Sequence, residues 1–172
     1  MTPADSIAAL ARTPEELQRR LAGLTEAQLR FKPGPDSFSV LESVCHLRDI
    51  EVEGYARRLG LMLREDDPLL PDLDGAALAR ERGYNEQPLQ PALDAFLSMR
   101  RRCLATLADL SAEEYARRGR FENVGEVTLD GLVELWAEHD QGHLKELDGL
   151  LLLLQQPLAD QRAKPSRSLL NR

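Results

Sequence analysis

An all-α fold built on four principal helices is predicted by three observations. Proline and glycine divide the chain into runs with no alternating strand pattern between them, capping residues stand at the heads of the runs, and apolar residues recur within them at steps of three and four. The 172 residues, 42% hydrophobic and 30% charged, have the make-up of one soluble domain. Area scaling gives a folded surface of roughly 8,500 Å² against roughly 28,000 Å² for the unfolded chain. A core of that size needs neither a metal nor a disulfide in order to form.

The first helical run is headed by Thr13-Pro14-Glu15-Glu16. There Thr13 can cap, Pro14 suits the first helical position and Glu16 closes a capping box. Leu17, Leu21 and Leu24 follow as one stripe, an upstream turn over residues 4–11 joins or precedes the helix, and a short segment over residues 25–30 comes after it. Beyond the breaker Lys32-Pro33-Gly34-Pro35-Asp36, the sequence Ser39-Val40-Leu41-Glu42 is a second capping box and opens a long helix to about Leu63. Residues 64–87 hold Pro68, Pro71, Gly75 and Gly83 and read as a connector between the second and third helices, with one short helix over residues 76–82. The third helix covers residues 89–110, with Leu93, Phe96, Leu97, Leu104, Leu107 and Leu110 inside and Arg100 to Arg102 on a solvated face. Ser111 caps a short turn, and Gly119, Asn123 and Gly125 mark a loop that ends at Thr128, the expected cap of the last long helix, which ends near Pro157. The domain is therefore expected over residues 4–156. Residues 157–172, with four basic residues and one acid, are expected to form a mobile tail.

A net charge of −7 disfavours nucleic acid and anionic membrane as partners. The longest apolar run, residues 150–154, is far short of a bilayer span, and the N-terminus lacks a signal peptide's basic and apolar regions. A cytoplasmic protein is expected, in which Cys45 and Cys103 stay unpaired and buried.

The three histidines are the most informative residues. His139 and His143 stand four apart on the last helix, in register with Leu132, Trp136, Leu147 and Leu150, so both imidazoles share one inward face and can chelate a single cation. His46 lies on the second long helix, near the edge of its apolar side. Together they offer three neutral nitrogen ligands and an open fourth position. The alternative is a hydrogen-bonded His46 and a histidine pair that only lines a polar pocket, and spacing leaves the two open. Around His46, the acids Glu42, Asp49 and Glu53 are candidates to orient its ring or take a proton; the competing reading pairs them with Arg48, Arg57 or solvent. Asp140 points about 100° away from His139 and is expected to pair with another helix. Cys45 is rotated off the ligand face, and Trp136 either walls a substrate pocket or belongs to the core.

The order of these features resembles the DinB-like superfamily, which includes YfiT-type metal-binding proteins. It is carried by Lys32-Pro33-Gly34, Phe38-Ser39-Val40, Val44-Cys45-His46-Leu47-Arg48-Asp49-Ile50-Glu51, Gly125-Glu126-Val127-Thr128-Leu129 and His139-Asp140-Gln141-Gly142-His143-Leu144. The resemblance spans residues 8–154 and departs at Phe38-Ser39, where the family usually has Trp-Ser. It implies a four-helix bundle, often a homodimer, with one divalent ion on His46, His139 and His143. Zn²⁺, Ni²⁺, Fe²⁺ and Cu²⁺ all suit three imidazoles. Such an ion acidifies water or a thiol, so the implied activity is transfer of a low-molecular-weight thiol cosubstrate to a small-molecule electrophile in detoxification. The alternatives are a metal-dependent hydrolase, a non-catalytic metal- or ligand-binding stress protein, and a dimerising protein in which the histidines are incidental.

Overall fold

Four long helical rods carry the structure, a computed structural model that describes residues 2–155; the expected tail at residues 157–172 lies outside them. The first rod, α1 (Pro3–Leu21), begins eleven residues earlier than a cap at Thr13 predicts, its cap being Thr2. Thr2 and Asp5 form its capping box, with Pro3 in the first turn. Thr13 is no cap: its hydroxyl donates to the Ala9 carbonyl at 3.2 Å, and Pro14 sits inside the helix. A proline there removes the N–H that the carbonyl four residues back would receive. That carbonyl belongs to Leu10, and a buried guanidinium, Arg100 Nη1, donates to it at 2.9 Å.

A short helix α2 (Glu26–Arg30), capped by Thr25 and Gln28, leads to the second rod. This rod opens at the predicted Ser39–Glu42 box. It comprises α3 (Val40–Asp49), a π-helical stretch (Ile50–Tyr55) and α4 (Ala56–Arg64), with helical backbone at each junction. In the wider turn the Ala56 N–H reaches back five residues to Glu51, and Ile50, Glu51 and Tyr55 are all buried along it. Such turns are frequent at functional sites.

After α4 the connector forms β1 (Leu69–Leu70), α5 (Gly75–Glu81) and a 3₁₀ turn (Tyr84–Glu86), then the third rod, α6 (Leu89–Ala108). Next come α7 (Ala112–Tyr115), boxed by Ser111 and Glu114, and two strands, β2 (Arg118–Phe121) and β3 (Gly125–Thr128). The loop expected over residues 119–128 is thus an antiparallel hairpin, turning through Asn123 at φ 63° and Gly125 at φ 107°, with β1 added in parallel on the far edge of β2. Its alternation was hidden because one of the two inward positions of β2 is Gly119. A Cβ there would stand 2.6 Å from Met62 Sδ and 3.1 Å from the Pro68 carbonyl, so the close approach of the rod excludes the apolar side chain by which a strand is recognised.

The last rod, α8 (Leu129–Leu154), starts at Thr128, whose hydroxyl accepts the Gly131 N–H at 3.1 Å. In cross-section α1 lies between α8 and α6, and the α3–α4 rod closes the ring against the same two helices. This is the predicted four-helix arrangement. No helix among the described residues is long and apolar enough to cross a membrane. The core divides into two apolar clusters. One gathers Leu17, Leu41, Leu47, Phe96 and Leu144; the other gathers Leu10, Tyr55, Leu107, Leu132 and Trp136. Between the two clusters each rod carries a buried polar residue: Thr13 on α1, Asp49 on α3, Arg100 on α6 and Asp140 on α8.

Candidate metal centre

His46 belongs to α3, and His139 and His143 to α8, one turn apart. The packing of the two rods brings all three rings together: their centroids are 4.5 to 5.4 Å apart. One nitrogen from each lies within 4.8 Å of the others. Nε2 of His46 faces Nε2 of His139 at 3.2 Å, close to the roughly 3.4 Å edge of a tetrahedron whose metal–nitrogen bonds are about 2.0–2.1 Å. His46 is buried, while the side chains of His139 and His143 keep 23% and 16% of their surface. The cluster therefore has a deep wall and an open edge.

The nitrogens behave as ligands in waiting. Nδ1 of His46, of His139 and of His143 is buried without a well-aligned hydrogen bond, and the close approach between rings is made by the other nitrogens, Nε2 of His46 and of His139, so packing does not occupy the nitrogens that face one another. Burial, reinforced by repulsion from His143 and His139, pushes the His46 imidazole down to about 2. Burial also lowers His139. Both rings are thus neutral at pH 7, with a lone pair free of competition from protons. The residues present fit a divalent cation. Around the triad, Glu146 Oε2 stands 2.9 Å from His143 Nδ1, and Asp140 Oδ1 stands 3.8 Å from His139 Nδ1.

Behind His139 lies a buried ion cluster that reaches all four rods. Arg100 of α6 holds Glu51 of the π-helical turn in two bonds of 2.9 and 2.7 Å, Asp140 of α8 at 2.6 Å and the Leu10 carbonyl of α1. Trp136 Nε1 donates to Glu51 at 3.0 Å. One guanidinium faces two carboxylates, so the cluster is negative when both are ionised, which favours a cation beside it. Burial alone would raise Asp140, but Arg100 and His139 together outweigh it and hold the carboxyl below its usual range. For Glu51 burial prevails, and its carboxyl is pulled above the ordinary value.

The structure corrects one reading and divides others. Arg100 is not on a solvated face: it is fully buried, whereas its neighbours Arg101 and Arg102 are exposed. Its phase, four residues after Phe96 and seven before Leu107, already placed it inside; a charge in an apolar register requires a buried acid, and that was the missed signal. Asp140 pairs across helices as expected. None of the three acids proposed to serve His46 has a bond to it. Glu42 closes the Ser39 box and pairs with Lys32, Asp49 binds Arg48, Arg82 and Tyr84, and Glu53 binds Arg82 rather than Arg57. Trp136 is core, stacked on Tyr55 at 4.9 Å. Cys45 and Cys103 are free and buried, and burial pushes their thiols up to about 11 and about 12.

The sequence profile of the DinB superfamily matches residues 9–147, a span that includes all three histidines and the ion cluster. This chain belongs to the DinB superfamily. Two relatives carry the provisional name of metal-dependent hydrolase. One, from Halalkalibacterium halodurans, is 24% identical over 139 residues, covering 81% of this chain and 80% of that protein. The other, from Geobacillus kaustophilus, is 26% identical over 146 residues, covering 84% and 81%. Among solved structures, YfiT from Bacillus subtilis superposes with a TM-score of 0.81 at 20% identity, covering 88% of this chain and 87% of that one. It is described provisionally as a metal-dependent hydrolase with an unusual four-helix bundle topology. At that identity the likeness establishes the fold of this DinB-superfamily member.

Proposed function

We propose that this protein is a metal-dependent hydrolase whose one divalent ion is held by His46, His139 and His143. The observation that carries the proposal is the convergence of three imidazoles, two of them held neutral by burial, on one partly open point. An ion on three neutral ligands keeps its charge and an exchangeable position, and there it polarises a substrate carbonyl or acidifies water. The chain's own contribution is to fix the rings, to seat negative charge behind His139, and to leave the edge at His139 and His143 accessible to a small substrate.

Elemental analysis of untagged protein tests the ligand set. About one divalent ion per chain is expected, and none in the His46→Ala/His139→Ala/His143→Ala variant; a wild type that takes up no ion when supplied with Zn²⁺ or Ni²⁺ would overturn it. Hydrolysis of model amides and esters should then stop in chelator and return with metal.

Thiol transfer, which the family resemblance placed first, becomes the second reading because the relatives' names support hydrolysis. One observation still favours it. Glu51 and Asp140, the buried acids behind His139, are held by Arg100, and Glu146 at the open edge is turned to His143; a hydrolase gains from a free general base, whereas a thiol activated by the ion needs none. Consumption of an electrophile that requires both metal and a low-molecular-weight thiol, without amide or ester hydrolysis, would put this reading first.

A further inference from the structure

The connector does more than join α4 to α6. Its second half is pinned to the helix that carries His46. Tyr84 Oη and Arg82 Nη1 donate to Asp49 at 2.6 and 2.7 Å, Arg82 also holds Glu53, Ser39 Oγ donates to Asn85 Oδ1 at 2.6 Å, and Gln87 accepts from Arg48 at 2.7 Å. Its first half is held by β1 on β2 and by Arg58 Nε, which donates to the Pro71 carbonyl at 2.8 Å. Between these anchors the chain passes the His46 ring at Gly75, the first residue of α5. A Cβ at Gly75 would lie 2.6 Å from His46 Nδ1 and closer still to Cε1. The ring edge against Gly75 thus bears Nδ1, and Nε2 faces His139. Phe38 stands against the ring at a centroid distance of 5.5 Å.

We propose that Gly75 is a positioning residue: the connector's close pass at this glycine sets the orientation of His46 and so the distance from its Nε2 to the nitrogens on α8. The role rests on the metal reading above. A backbone requirement does not account for the glycine, since Gly75 is absent from the positive-φ residues and alanine is the better helix former. What excludes a methyl group is the imidazole. Because the anchors on both sides hold the connector, an added methyl displaces the ring rather than the chain.

The test is Gly75→Ala, made in wild type and in His46→Ala. In wild type it should weaken Zn²⁺ binding about tenfold or more, read by competition with a chromophoric chelator, and should change the d–d absorption of the Co²⁺-loaded protein. In the metal-free proteins it should lower the melting temperature when His46 is present and leave it unchanged when His46 is alanine. Unaltered Zn²⁺ affinity and Co²⁺ spectrum would overturn the positioning role. So would equal destabilisation in both backgrounds, which would show that the backbone rather than the ring requires glycine. Should Gly75→Ala fail to fold alone, recovery of folding in Gly75→Ala/His46→Ala supports the contact, and failure there overturns it. A wild type that binds no Zn²⁺ would overturn the metal reading itself, whereas the melting comparison, which uses no metal, reports on the contact independently.

Discussion

Three imidazoles of the same type become three different candidate ligands through what each meets at Nδ1. His46 meets the backbone at Gly75, His139 a buried carboxylate at 3.8 Å, and His143 the half-exposed Glu146 at 2.9 Å. A carboxylate at the outer nitrogen fixes the tautomer and raises the basicity of the inner one. His143 is where this acts at shortest range, and its contact holds the Glu146 carboxyl below its ordinary value. Glu146→Gln is therefore expected to lower metal affinity by about tenfold, with the melting temperature of the metal-free protein unchanged because the Glu146 side chain keeps 60% of its surface. Isothermal titration with Zn²⁺ checks it, and an affinity equal to wild type would count against a role for Glu146. At this scale the shared face of His139 and His143 was legible and the neighbours of the three rings were not. Helical phase is a local property, so His139 and His143 could be placed on one face from their spacing alone. Glu146, three residues after His143, was within reach of the same reasoning, whereas Gly75 acts on His46 through a chain path that no spacing encodes.

Pro14, in the middle of α1, shows how one element's defect becomes another's binding site. A proline inside a helix costs the bond to the carbonyl four residues back, and here that carbonyl, Leu10, is satisfied by Arg100 of α6. The same guanidinium pairs with Glu51 on the π-helical turn and Asp140 on α8, so one side chain serves four rods. Arg100→Met keeps most of the volume but leaves two buried carboxylates without a cation. Removing one partner from such a cluster costs about 3–5 kcal/mol, and urea unfolding of the metal-free protein should show a loss of that size. A loss below about 1 kcal/mol would mean that the carboxylates are not held as ions by Arg100. The heads of the second and last rods were legible because Ser39 with Glu42, and Thr128, are local signals; the head of the first was misplaced because Thr13-Pro14 imitates a start inside a helix that Thr2 and Asp5 had already begun. The small sheet escaped notice for the opposite reason: its inward residue Gly119 answers to Met62 and Pro68 across space rather than to its neighbours in the chain.

At the level of the whole molecule, the bundle is two apolar clusters separated by a polar layer that holds the ion cluster and the histidines. The clusters supply the folding free energy, so the layer need not. Removal of the ion should leave the helical circular dichroism spectrum essentially unchanged; collapse of the helices on chelation would make the ion structural and weaken the case for catalysis. The same layer predicts an acid weakness in the metal-free protein. His46 and His139 have folded-state pKa values below those of the unfolded chain, so the unfolded state takes up protons near pH 6.5 that the native state refuses. Their contribution is complete above that pH and is lost as pH falls through it, approaching about 1.4 kcal/mol per pH unit for each imidazole. Urea midpoints of metal-free wild type should therefore fall more steeply between pH 7.5 and 5 than those of His46→Ala/His139→Ala, in which the carboxylates titrate alike but the two rings are gone. Parallel curves would show that the rings accept protons freely in the folded state. The steeper fall would show that the bundle holds them neutral at its own expense, which is the condition a cation requires of its ligands.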